Sequence, residues 1–176
     1  MSLALVHSRA KSGVQAPVVR ESRDRVRAAI QNAQFEFPQR RIVVNLAPAD
    51  LPKEGGRYDL AIALGILAAS GQIPVPALSD IELLGELALT GELKPVDGVL
   101  PAALAAAQAG RLLILPVANG AEAALASGVH ARTARTLLEV CAHLQGTRTL
   151  PLAQPAPVSL EPPRYPDLAD VRGQLA

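Results

Sequence analysis

The sequence predicts an α/β (α+β) domain in which helices pack on a small mixed sheet. Ile42–Leu46 is rich in β-branched residues, as strands are, and a polar loop separates it from an apolar run over Leu60–Ala69. Ile81–Leu89 and Leu93–Val96 predict a hairpin, because Thr90-Gly91 between them suits a tight turn with a positive φ. Strand-like and helix-like segments then alternate, which is typical of a single α/β core.

The chain begins with a predicted short strand and a long amphipathic helix. Leu3–Val6 is a short apolar run that predicts an edge strand, and Ala10–Pro17 is expected to be a loop. Val18–Ala33 predicts a helix, because four apolar residues share one face at helical spacing: Val19, Val26, Ile30 and Ala33. Phe35–Arg41 is then expected to turn the chain into the strand over Ile42–Leu46.

The run over Leu60–Ala69 is apolar on nearly every face, which indicates a helix that is buried on all sides. Asp59 stands where its N-cap is expected, and Gly71 supplies the left-handed residue that ends it. The preceding loop, Leu46–Gly56, contains two prolines and two glycines and cannot continue the strand. Any functional site is therefore expected on this polar loop, beside the core.

Helix and strand signals recur in the next part of the chain. Pro101 fits the first turn of a helix over Ala102–Ala109, since the N–H that proline lacks has no partner there. Leu112–Leu115 predicts a short buried strand. Asn119 is expected to cap a brief helix over Ala121–Ser127.

The last predicted elements are a strand over Val129–Ala131 and a helix that ends at Gly146. Thr136 and Glu139 have the spacing of a capping box at the start of this helix. Gln72–Ser79 contains two prolines and is expected to be a loop.

The predicted domain spans residues 1–146. Residues 147–164 contain five prolines and little periodicity, which predicts an extended linker. Residues 165–176 are too few to fold alone, so they are expected to begin a following domain.

Charge is distributed unevenly along the chain. Residues 1–41 hold eight lysines and arginines against three acidic residues, whereas residues 42–110 hold three against eight. This distribution predicts a two-sided electrostatic surface. A stripe beside the apolar face of the first helix is either an ordinary solvated edge or a surface for phosphate or an acidic neighbouring subunit: Arg20, Arg23 and Arg27.

Several kinds of chemistry have no supporting motif. Cys141 is the only cysteine, so neither an intramolecular disulfide nor a cysteine zinc cluster is possible, and a buried packing thiol is expected. His7, His130 and His143 have no metal-ligand spacing, so no metal site is predicted. The sequence contains no phosphate-loop string and no Gly-x-Ser-x-Gly elbow. We therefore expect this chain to hold no cofactor and to bind no ATP on its own.

The targeting signals expected of secreted and membrane proteins are also missing. The N-terminal residues SLALVHSRAK lack the basic region and long apolar core of a signal peptide. No run approaches the roughly 18 apolar residues that a membrane span needs. The expected location is cytoplasmic, with no membrane partner.

Three long strings carry a resemblance to a known family: ESRDRVRAAI, NLAPADLPKEGGRYDLAIALGILAASGQI and GELALTGELKPVDGVLPAALAA. They are similar to the N-terminal domain of the magnesium-chelatase-related AAA+ ATPases of the ComM/YifB family. The terminal YPDLADVRGQ resembles the start of that family's ATPase module. The resemblance implies a Lon-protease-like fold, a ribosomal-protein-type β-α-β sandwich. It also implies a following ATPase domain with ATP and magnesium, a hexameric ring, and DNA branch migration during natural transformation.

The resemblance also bears on catalysis. The string from Pro52 to Gly55 is similar to the loop that leads to the serine nucleophile of Lon proteases. The position matching that serine falls at Asp59 or, with a different gap, at Tyr58, and the position matching the lysine falls at Leu100. A serine–lysine dyad needs both groups, so the resemblance implies a non-catalytic domain in which Asp59 caps a helix. Lys94 is close in sequence to the lysine position but is expected in the hairpin.

The chain departs from the family between Pro17 and Val18, where the family has a further strand and a Gly-Leu-Pro turn. The first sheet is therefore expected to be shortened, with an edge that is incomplete or filled by a partner. The expected function is to assist ring assembly and DNA engagement. Five arginines are the candidate contacts to DNA or to a neighbouring subunit: Arg20, Arg23, Arg27, Arg40 and Arg41. The alternatives are a Lon-type peptidase domain and a magnesium chelatase subunit.

Overall fold

The structure is a computed structural model that describes residues 17–44 and 56–157, with side chains in the first helix described from Ser22 onward. These residues form an α/β fold, so the predicted class is confirmed. The helices of the described part are α1 (Pro17–Asn32), α2 (Asp59–Ala69), α3 (Val99–Ala109), α4 (Gly120–Ala123) and α5 (Leu137–Leu144). Single turns of 3₁₀-helix lie at Val75–Leu78 and Val117–Asn119.

The strands form one parallel sheet and one separate hairpin. They are β1 (Ile81–Leu83), β2 (Glu86–Leu87), β3 (Leu93–Lys94), β4 (Leu112–Pro116) and β5 (His130–Ala134). β4 lies between β1 and β5 and is parallel to both. Parallel neighbours need a crossover, which α3 supplies between β1 and β4 and α4 between β4 and β5. β2 and β3 pair antiparallel, with Leu87 opposite Leu93.

The central strand separates two hydrophobic cores. Leu113 and Leu115 of β4 belong to a smaller core with α3 and α4, whereas Ile114 belongs to a larger core with α1, α2 and α5. Successive side chains of a strand point to opposite faces, so both faces of β4 are covered. The fold is therefore three-layered around this strand, which explains why Leu112–Leu115 is apolar without alternation.

The predicted helices α1 and α2 are confirmed. The buried side chains of α1 include Val26 and Ile30, as its periodicity predicted. Eight of the 11 residues of α2 are buried. Gly71 has a φ of 78° and follows its last turn, where the Gln72 N–H donates to the Leu67 carbonyl at 2.9 Å.

Two strand predictions are wrong. Residues 42–44 are not a strand, and residues 45 and 46 lie outside the described ranges. Ile42 and Val44 pack partly buried against the larger core, so their apolar character serves packing rather than a ladder. The predicted strand Ile81–Leu89 is divided at Gly85, because its N–H donates to the Arg57 carbonyl at 3.1 Å and its carbonyl accepts from Leu60 N–H at 3.1 Å. The chain thereby leaves the parallel sheet and enters the hairpin.

The hairpin turn, α3 and the last strand agree with the sequence prediction. Gly91 has a φ of 88°, and its N–H donates to the Ala88 carbonyl at 2.9 Å. Pro101 lies in the first turn of α3, and Gly110 ends that helix with a φ of 65°. The predicted edge strand Leu3–Val6 lies outside the described residues.

The first residues of the predicted linker pack on the sheet. Leu150 is 1% exposed and belongs to the larger core. Beside it, the Thr133 N–H donates to the Pro151 carbonyl at 2.9 Å, and the Ala153 N–H donates to the Ala131 carbonyl at 2.9 Å. This segment therefore lies antiparallel along β5. The predicted domain boundaries at residues 146 and 164 stay predictions.

Candidate functional site

The start of α2 is held by backbone contacts to the segment between β1 and β2. The Asp59 N–H donates to the Gly56 carbonyl at 2.8 Å, and the Leu60 N–H reaches the Gly85 carbonyl. A Cβ at Gly56 would lie 2.4 Å from the Glu86 side chain, so glycine is needed there unless Glu86 moves. These contacts give residues 56–60 one defined position at the end of the polar loop.

Asp59 is the first residue of α2 and is 0% exposed. Its Oδ2 accepts hydrogen bonds from Arg25 Nε at 2.8 Å and from the backbone N–H of Leu87 at 3.3 Å. Among the described residues, its Oδ1 has no hydrogen-bond partner. The prediction that Asp59 caps the helix is therefore wrong, since Tyr58 holds the N-cap position without a side-chain bond. A buried carboxylate needs a cation or several donors more than a helix start needs a cap.

Arg25 is the functional partner that sequence reasoning missed. It lies on α1, 34 residues from Asp59, and its side chain is 23% exposed. Its Nη2 also donates to Ser22 Oγ at 3.2 Å. The available signal was its position directly before Val26, at the border of the apolar face of α1.

Leu100 is the second residue of α3, and its side chain packs against the smaller core. A leucine side chain has no group that takes a proton, so this position has no base. Its backbone N–H and that of Val99 donate to Glu122 Oε1 at 3.0 and 3.1 Å. Lys94 lies on β3, as predicted, with an exposed side chain and Glu86 as its register partner. The structure brings no lysine to Leu100 among these contacts.

Asn119 precedes α4 but does not cap it with its side chain. Instead, its Oδ1 accepts from the Val96 N–H at 3.0 Å and its Nδ2 donates to the Val96 carbonyl at 2.9 Å. The amide therefore satisfies both backbone groups of Val96, as a neighbouring strand would. In α5 the Thr136 cap is confirmed at 3.2 Å from the Glu139 N–H, but the Glu139 carboxylate accepts from the Arg135 N–H.

The predicted arginines lie on α1 and on the segment that follows it. Arg23 and Arg27 have exposed side chains, and so do Arg40 and Arg41. Arg27 lies over the ring of Phe37, with 4.7 Å from Cζ to the ring centroid. Arg20 belongs to α1, but its side chain lies outside what the structure describes.

Cys141 is fully buried in the larger core, as the sequence predicted. Burial raises the pKa of its thiol from an ordinary 9.0 to about 12, and its backbone hydrogen bond opposes this shift. A thiol of this kind is a packing group rather than a nucleophile. In the described ranges, no three histidines, cysteines or acids come together as a candidate metal site.

The family follows from comparison with known sequences. The family model for subunit ChlI of Mg-chelatase matches residues 7–119, which is more than half of the chain. The chain belongs to the magnesium-chelatase-like ATPase family of ChlI. Among its relatives, the competence protein ComM of Haemophilus influenzae is 47% identical over 201 residues, and the protein YifB of Salmonella typhimurium is 46% identical over 199 residues.

The chain is shorter than these ChlI-family relatives. Both alignments cover 99% of this chain but only 40% of ComM and 39% of YifB. The 201 residues aligned with ComM also exceed the 176 of this chain, so ComM carries residues with no counterpart here. That excess agrees in direction with the departure expected at Pro17-Val18, whose position stays a prediction.

The similarity to Lon proteases is partial. Lon protease 2 of Bacillus subtilis is 36% identical over 73 residues, which cover 41% of this chain and 13% of that protease. Lon protease 2 of Thermus thermophilus is 34% identical over 85 residues, or 48% of this chain. Separately, none of the helices in the described ranges has both the length and the apolar character that crossing a membrane requires.

Proposed function

We propose that this chain is a non-catalytic domain of a magnesium-chelatase-like ATPase and that it presents an arginine surface to DNA. The arginine surface is defined as Arg20, Arg23, Arg27, Arg40 and Arg41. The observation that carries the proposal is that α1 buries one face in the core while Arg23 and Arg27 stay exposed on the other. Within residues 23–41, four arginines and two acids have exposed side chains, which leaves a net positive surface.

The geometry of α1 favours a common contact for its arginines. Arg23 and Arg27 are four residues apart, so they lie on the same side of the helix. Arg23 contacts Asp24 at 3.8 Å, with side-chain exposures of 62% and 77%. Such an exposed pair contributes little and leaves the arginine free to exchange its partner for a phosphate.

The contact between Arg27 and Phe37 adds the following segment to this surface. Phe37 packs partly buried against the larger core, so its ring is a fixed support for the guanidinium. A guanidinium stacked on a ring keeps its N–H edges available for phosphate oxygens. Arg40 and Arg41 follow Phe37 by three and four residues, so the same contact keeps them near α1.

The wider role is proposed for the whole protein. Its ATP and magnesium would bind in the ATPase domain that the resemblance implies, which would also be the first partner of this domain. We propose a homo-oligomeric ring, with hexamers as the expected form. DNA is the proposed polyanion, because the ComM/YifB resemblance implies branch migration and arginines are common phosphate ligands.

Charge reversal tests the arginine surface. Arg23→Glu with Arg27→Glu should weaken DNA binding and reduce the slope of log K against log salt by about 0.9 for each phosphate that the variant no longer neutralises. Arg135→Glu with Arg148→Glu is the matched control, because both arginines are exposed, lie outside α1 and change the net charge equally. Equal affinities for the two double variants would overturn the proposal. A loss of hexamers without a loss of DNA affinity would assign the surface to a neighbouring subunit.

The partial similarity to Lon proteases keeps a peptidase as the second candidate. It needs a nucleophile and a base, whereas Asp59 is buried in an ion pair and Leu100 carries no titratable group. We therefore propose that the domain hydrolyses no peptide bonds. Turnover of unfolded casein by the purified chain, abolished by substitution of a single serine, would show the peptidase instead.

A further inference from the structure

We infer that Asp59 is a positioning residue for the arginine surface. Its ion pair with Arg25 holds α1 in the rotation that turns Arg23 and Arg27 toward solvent. This inference rests on the proposed function, DNA contact by the arginine surface. It gives a role to a carboxylate that stands where the Lon resemblance places a nucleophile.

The spacing of three arginines on α1 supports the inference. Successive helix residues are 100° apart, so Arg23 and Arg27 each lie about 160° from Arg25 around the axis. Whatever holds Arg25 inward therefore directs the other two outward. Arg25 has 23% of its side chain exposed, against 62% for Arg23. The ion pair and the exposed arginines are thus two sides of one helix orientation.

Asp59 is suited to this role because its own position is fixed. It begins a helix whose side chains are mostly buried, and its Oδ2 also accepts from the Leu87 N–H of the hairpin. Its exposure of 0% means that the carboxylate cannot turn to solvent for hydration. Arg25 is therefore drawn to a point set jointly by α2 and β2, and α1 is positioned relative to both.

The sign of the expected effect separates positioning from simple electrostatics. Asp59→Asn removes a negative charge, so electrostatics alone predicts equal or tighter DNA binding. Positioning predicts weaker binding, because the ion pair that fixes the rotation of α1 is removed. Glu82→Gln is the matched control: it removes one carboxylate from the Arg111–Glu82 ion pair, which has a 2.7 Å contact between β1 and the segment before β4.

The experiment measures DNA affinity of the full chain as a function of salt. Asp59→Asn should weaken binding at least about fivefold and lower the salt slope by about 1, while Glu82→Gln should do neither. A purely structural role would reduce the folded fraction but leave the salt slope of the folded chain unchanged. Unchanged or tighter binding by Asp59→Asn would overturn the inference.

A second pair of variants guards against misfolding and against failure of the proposed function. Arg25→Gln and Arg111→Gln each remove one positive charge, and Arg25→Gln should weaken DNA binding several-fold more. If the unsubstituted chain binds no DNA, the proposed function fails and amide exchange decides the positioning claim. Exchange in α1 should then be on the order of a hundredfold faster in Asp59→Asn than in Glu82→Gln. Equal exchange in the two variants would overturn it.

Discussion

Two ion pairs with almost the same contact distance differ in what surrounds them. Arg25–Asp59 joins α1 to α2 at 2.8 Å, and Arg111–Glu82 joins neighbouring parts of the parallel sheet at 2.7 Å. The Asp59 side chain is 0% exposed, whereas the Glu82 side chain is 24% exposed. Water can therefore replace the partner of Glu82 but not that of Asp59.

The comparison teaches that burial, rather than distance, decides the weight of an ion pair. A solvated pair gains little, because each charge is hydrated when the partner leaves. A buried charge that loses its partner has no such compensation, although the intact pair need not stabilise the fold more than an apolar pair would. The buried pair is thus a strong constraint on geometry.

The largest expected effect is at Asp59. Asp59→Ala should lower the free energy of unfolding by about 3–5 kcal/mol, because it strands buried charge and removes a link between three elements. Glu82→Ala should cost about 0–1 kcal/mol. Urea denaturation of both variants, followed by far-UV circular dichroism, measures the difference. Losses within about 1 kcal/mol of each other would contradict the comparison.

Removing both buried charges sharpens the same comparison. Arg25→Met with Asp59→Asn should recover most of the stability lost in the single variants, because no unpaired charge remains in the interior. The same denaturation experiment applies. If the two single losses simply add in the double variant, Asp59 and Arg25 act independently and the pair is not the constraint described.

A smaller effect is expected for a carboxylate that is paired with N–H groups. Glu122 accepts from the N–H groups of Val99 and Leu100 at the start of α3, where the helix dipole also favours a negative charge. Glu122→Ala should cost about 1–2 kcal/mol, between the effects at Asp59 and Glu82. Glu36→Ala is the control, since that side chain is exposed and only its backbone groups bond to Gln72. A loss at Glu122 no larger than at Glu36 would refute this ranking.

The smallest effect at neutral pH concerns Cys141, a buried ionisable group held neutral by its surroundings. Burial raises its pKa from 9.0 to about 12 in the folded chain. The unfolded chain therefore loses the thiol proton at lower pH, so the stabilisation is complete below pH 9 and is lost as the pH rises toward 12. Melting temperatures across this range should fall more steeply for the unsubstituted chain than for Cys141→Ala. Parallel profiles would show that the thiol does not contribute.

Much of the local structure was predictable, because local signals determine it. The limits of α1, α2, α3 and α5 follow from periodicity, glycine stops and the Thr136 cap. The hairpin followed from the turn before Gly91. Residues 42–44 misled, since β-branched residues show that a segment fits a packed surface and do not show that it has a strand partner.

The candidate site was only half predictable. Exposed arginines on α1 follow from the helical pattern, and four of the five predicted arginines have described, exposed side chains. The roles of Asp59 and Asn119 were not predictable, because both residues match N-cap preferences. Each binds a group far away in the sequence instead, 34 residues away for Asp59 and 23 for Asn119.

By itself, the sequence determined the fold class, the helix ends and the family, because these depend on residues close together in the chain or on long shared strings. Only the tertiary structure decided which polar groups meet in the interior. A buried carboxylate or amide takes the donors that packing brings within hydrogen-bond distance, and that choice overrides its local preference. Asp59 is therefore a tether for α1 in the folded chain, although its sequence context resembles a helix cap.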